Sequence, residues 1–121
     1  MSNYHWSATE CAHLRTSALR ERLALRESQC SAYRSNVTDV EKRMKAMRHA
    51  VDKKHNEQWR FVYTPERDTS LRAALAELYA STEYAQLLAD LASERADQLC
   101  TLAECRRIRA ELSARKHGGR P

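Results

Sequence analysis

From Ser7 to Tyr63 the chain contains neither glycine nor proline, an unbroken run of 57 residues. The internal break that ends it is Thr64-Pro65, and a second run free of both residue types follows as far as His117. A fold built from strands needs frequent turns, and turns need the positive φ of glycine or the fixed φ of proline. With 2 Gly and 2 Pro in 121 residues, this chain has almost nothing to make them from. It is instead rich in helix formers, with Ala occurring 18 times and Arg 16 times. Hydrophobic residues make up 42% of the chain, enough to exclude wholesale disorder. An all-α fold follows.

Helix signals set the expected boundaries. Ser7-Ala8-Thr9-Glu10 is a capping box, in which the Ser7 hydroxyl accepts from the Glu10 amide and the Glu10 side chain reaches back. A first helix is expected over about 7–63, ended by Pro65, which biases the residue before it away from helical geometry. The turn is placed at about 64–70, where Asp68, Thr69 or Ser70 caps a second helix over about 71–117. Residues 118–121 read as a frayed tail, so that 1–121 forms a single helical domain. Two soft spots stand out, Ser35-Asn36 and Ser81-Thr82-Glu83; if both break, the chain becomes four shorter helices.

Two runs of similar length around one break predict a long antiparallel helical hairpin, coiled-coil-like in its middle. There Cys30, Tyr33, Val37, Val40, Met44, Met47 and Val51 recur at alternating spacings of three and four. Leu19 and Leu23 hold the same register upstream, and Arg26 interrupts it. The second helix is apolar over a wider arc that includes Leu71, Leu75, Leu78, Leu88, Leu91 and Leu99. Two helices alone cannot enclose such faces, so a homodimer forming a four-helix bundle is expected. A hairpin turning near Pro65 sets Cys30 opposite the helical turn that carries Cys100, with Cys105 about one turn further. It also brings His13 near His117, with Cys11 close by.

Charge is distributed in blocks. Residues 1–41 are neutral overall, 42–65 carry +5, 66–104 carry −5 and 105–121 carry +5. The alternation fits acidic and basic blocks packed together within a fold or oligomer. It also makes Lys42, Arg43, Lys45, Arg48, Lys53 and Lys54 the candidate residues for contacting nucleic-acid phosphates. The turn region supplies the other candidate surface. Trp59, Phe61 and Tyr63 stand beside Glu66 and Asp68, and aromatic anchors with charged neighbours are what protein interfaces concentrate.

Catalytic signals are lacking. The five histidines show no metal-binding spacing, the four cysteines form no Cys-x-x-Cys pair, and there is no glycine-rich phosphate loop. No catalytic residue, metal or cofactor is assigned. No apolar run reaches the roughly 18 residues of a membrane span, and Met1–Glu10 lacks a basic patch followed by an apolar core. A cytoplasmic protein with reduced thiols is expected, and the bias of Arg over Lys fits a bacterial or phage source. The expected function is non-enzymatic: an inhibitor, adaptor or assembly factor that binds another protein through its helical surface or tip. The alternative is a basic helical protein that binds DNA or RNA through phosphate contacts.

Overall fold

The structure is a computed structural model that describes residues 4–118. Among these residues the chain is all-α, with four helices and no strand. Helix α1 spans Ala8–His13, α2 Thr16–Gln58, α3 Pro65–Tyr79 and α4 Thr82–Lys116. No helix is long and apolar enough to cross a membrane among the described residues.

The Ser7 capping box forms in both directions, with the Glu10 amide 3.2 Å from the Ser7 hydroxyl. The expected helix over 7–63 is nevertheless divided. Leu14 adopts an extended conformation and ends α1 after His13. No glycine or proline causes this break. The reason is tertiary: the Arg115 guanidinium donates to the carbonyls of Cys11, Ala12 and Leu14 and to the Thr16 hydroxyl. These bonds satisfy the carbonyls that the helix end frees.

The connection after α2 also differs from the expected turn over 64–70. The non-helical segment is Trp59–Thr64, and Pro65 opens α3 instead of only closing α2. Proline suits the first helical position, where its missing N–H has no intrahelical partner to lose and its φ is already helical. Glu66 and Asp68 then fall in the first turn of α3, where negative charge is favoured. Of the two soft spots, Asn36 lies within continuous α2, and its amide donates to Glu94 at 3.2 Å. The chain breaks at the other. Ser81 accepts from the Tyr84 amide and caps α4, while its hydroxyl donates to the Leu78 carbonyl at 2.6 Å. Gly118, at φ +82°, follows the last helix; the rest of the expected frayed tail, 119–121, lies outside the described residues.

The chain divides into two compact units. Unit 1 comprises Met1–Asn36 and Glu94–Pro121. Its core is Cys11, Leu19 and Ile108, all fully buried, with Trp6, Leu14, Leu23 and Leu112 packed around them. Unit 2 comprises Val37–Ser93. Its core is Met44, Tyr84 and Leu91, flanked by Val37, Val40, Met47, Leu78 and Leu87. The 3-4 stripe of α2 therefore supplies apolar packing to unit 2, as its spacing implies. The wide arc assigned to the second half is only partly covered, since Leu88 and Leu99 stay exposed.

Candidate functional site

The segment between α2 and α3 projects the most exposed large apolar side chains among the described residues of unit 2. Helix α2 ends when the Trp59 amide bonds the His55 carbonyl and the Val62 amide bonds the Trp59 carbonyl at 3.1 Å, forming a tight turn. Arg67 fixes this turn from α3, donating to the Val62 carbonyl and to the Asn56 side chain, each at 3.2 Å. Phe61 and Tyr63 are 80% and 84% exposed on it. Each carries an arginine near its ring: the Arg60 guanidinium lies 5.4 Å from the Phe61 centroid and that of Arg67 5.9 Å from the Tyr63 centroid. The quadrupole of an aromatic face attracts such cations.

Trp59 behaves differently from its two neighbours. It is half-buried and stacks on His55 with ring centroids 5.8 Å apart and planes 16° from parallel. Of the three expected anchors, Trp59 therefore closes the end of the unit, and Phe61 and Tyr63 face solvent. Glu66 and Asp68 are both exposed at the start of α3. Hydrogen bonds from the Thr64 hydroxyl and from a backbone amide hold the Glu66 carboxyl below the usual carboxylate range.

The candidate basic face is also in unit 2. Lys42, Arg43, Lys45, Lys53 and Lys54 are exposed on α2. Arg48 is not part of a free face, because it is half-buried and donates to the Tyr84 hydroxyl at 3.0 Å. Lys42, Lys45 and Arg48 line a hollow of about 430 Å³ together with Glu41, Met44 and Leu91.

The polar cluster of unit 1 includes none of these candidate residues. Glu104 is fully buried. Its carboxylate accepts from Arg26 Nε at 2.7 Å, from Arg22 Nε and Nη2 at 3.1 Å, and from the Trp6 amide at 2.6 Å. The same two arginines donate to the Tyr4 carbonyl at 2.6 and 2.7 Å, and Arg107 donates to the Trp6 carbonyl at 2.7 Å. Arg22 also lies 4.5 Å from the Trp6 ring centroid. Burial alone raises the Glu104 carboxyl pKa, but the Arg22, Trp6 and Arg26 hydrogen bonds together bring it below the ordinary value. Burial and the Arg26 charge lower the pKa of His5, whose Nδ1 lies 3.6 Å from Glu104. The cluster fastens the residues before α1 to α2 and α4. The sequence signal for it was Arg26, a charge in the middle of an apolar stripe.

The cysteines pair differently from the expected register. Cys30 hydrogen-bonds Cys105, both of them buried, while Cys100 is exposed. Burial and the neighbouring Cys30 push the Cys105 thiol up to about 11, so it is a poor nucleophile. Helix rotation explains the choice. Cys105 shares the inward face with Glu104 and Ile108, and Cys100 lies on the outer side of α4. Among the described residues no three His, Cys, Asp or Glu side chains are grouped closely enough to hold a metal ion. Comparisons with protein-family models, curated proteins and solved structures return no match for this chain.

Proposed function

We propose that this protein is a non-enzymatic interaction module that binds another protein through the tip between α2 and α3. The observation that carries this reading is the exposure of Phe61 and Tyr63 on a turn held in place by Arg67. Leaving two aromatic rings in water is unfavourable, and a partner that covers them removes that apolar surface. Glu66 and Asp68 supply a charged rim beside the rings. Inhibitor, adaptor and assembly roles in a bacterial or phage cytoplasm all use such a surface.

The architecture proposed around the tip is an antiparallel pairing of helices within each unit. In unit 1, Arg26 meets Glu104 and Asn36 meets Glu94; in unit 2, Arg48 meets Tyr84 and Asn56 meets Arg67. Partner numbers fall as the first numbers rise, which supports antiparallel pairing in both. A homodimer completing a four-helix bundle is proposed with it.

A second reading rests on the five exposed cations of α2. Lys42, Arg43, Lys45, Lys53 and Lys54 present charge without base-reading geometry, which fits phosphate contacts that are independent of sequence. Affinity capture from the native host, with and without nuclease, tests both readings. A stoichiometric protein that survives nuclease and is lost in the Phe61→Ala/Tyr63→Ala double variant is the expected result. Nucleic acid alone, lost on digestion and on joint neutralisation of Lys42, Arg43 and Lys45, makes the second reading correct.

A further inference from the structure

Helix α3 has an apolar side but no buried residue. Leu71, Ala74, Leu75 and Leu78 are only half-covered. Between α3 and the end of α2 runs a groove of about 430 Å³, floored by Val51, Ala74 and Leu78 and lined also by His55 and Gln58. His55 is 3% exposed, yet neither of its ring nitrogens has a hydrogen-bond partner. Both nitrogens are enclosed by the chain's own atoms, so this cost is carried inside unit 2.

The rims of the groove carry opposite charges. Lys54 stands on the α2 side and Glu77 on the α3 side, both exposed and neither in an ion pair among the described residues. The two segments that supply the groove differ in net charge in the same sense. Residues 42–65 carry +5, whereas 66–93 hold five acidic and two basic residues, a net of −3. A surface with a basic half and an acidic half is complementary to itself under a two-fold rotation.

We propose that the groove between α2 and α3 is the dimer face, and that its occupant is the same groove of a second copy of this chain. The two-fold sets the basic α2 end of each copy on the acidic α3 of the other. Lys54 of each chain then pairs with Glu77 of the other, as flanking charges do beside the core of a coiled coil. Val51, Ala74 and Leu78 from both copies form the shared core. This assignment rests on the homodimer proposed above and adds its face and its ion pairs.

Sedimentation equilibrium of the full chain in reductant, over a concentration series, tests it. The variants are Lys54→Glu, Glu77→Lys and the double exchange. Each single variant creates two like-charge contacts and is expected to raise the dimer dissociation constant about tenfold or more. The double exchange restores both pairs with reversed polarity and returns the constant to near the starting value. Because both residues are exposed, helicity by circular dichroism is expected to stay constant across the series. A dimer indifferent to all three variants overturns this face and leaves the dimer standing. A dimer weakened by the single variants but not rescued by the double exchange overturns the Lys54–Glu77 pairing. A chain monomeric at every concentration overturns the dimer itself.

Discussion

Glu104 is the residue on which unit 1 turns. Its carboxylate gathers Arg22, Arg26 and the Trp6 amide, and Arg26 is itself 2% exposed. Glu104→Gln keeps the size but removes the charge, leaving Arg26 buried without its counter-ion. The expected loss is about 3 kcal/mol, measured by urea denaturation. Acid has a related effect. Because the folded pKa of Glu104 lies below its unfolded value, the unfolded chain binds the proton more readily. The stabilisation is complete above the ordinary glutamate pKa and is lost as pH falls through the lowered folded value. The acid limb of a stability-against-pH curve is therefore expected to flatten in Glu104→Gln. The thiols give an independent residue-scale reading. Cys100 is expected to react first with a thiol reagent in the native protein and Cys105 more slowly, the order being read by mass spectrometry of the labelled peptides.

At the scale of elements, the informative places are the helix ends. Ser7 and Ser81 cap α1 and α4 with side-chain oxygens, and Thr64-Pro65 opens α3. Ser81→Ala removes the acceptor for the Tyr84 amide and is expected to cost about 1 kcal/mol in a thermal or urea melt. The break between α1 and α2 depends on a distant residue, since Arg115 bonds the Cys11 and Leu14 carbonyls before it and the Thr16 hydroxyl after it. Local sequence reading placed the capping box because its partners are three residues apart. It missed the Leu14 break because the partner of those carbonyls is about a hundred residues away. It likewise read Pro65 as a stop, one of two roles the ring allows; the backbone that follows makes it a start.

At the scale of the whole molecule, the two units are built differently. Unit 1 has a core of fully buried side chains and a buried ion-pair cluster, whereas the core residues of unit 2 keep some exposure and α3 buries none. Fewer buried contacts lower the free energy of local opening. The two tryptophans report the units separately, Trp6 in unit 1 and Trp59 in unit 2. With Trp59→Phe and Trp6→Phe variants, the fluorescence of Trp59 is expected to change at lower urea than that of Trp6. Coincident transitions would show instead that the units unfold as one. If the groove of unit 2 is covered by a second copy, the Trp59 transition also moves to higher urea as protein concentration rises, by mass action.

The sequence by itself determined that this chain is helical. It located the Ser7 cap, placed the Val37–Met47 stripe in apolar packing and set the soft spot where α4 begins. All of these depend on neighbours within one or two helical turns, and residue type and spacing encode such neighbours directly. It also marked Phe61 and Tyr63 as side chains that need an explanation. Only the tertiary structure decided that Trp59 turns inward onto His55 while those two face water, and that Arg48 is engaged with Tyr84. It alone decided that Cys105 and not Cys100 meets Cys30, and that Arg26 is the partner of Glu104 and not an interruption. Each of these depends on which way a helix is rotated against another. That rotation is fixed by the packing of side chains far apart in the chain, and a periodic pattern leaves it free by a residue or more.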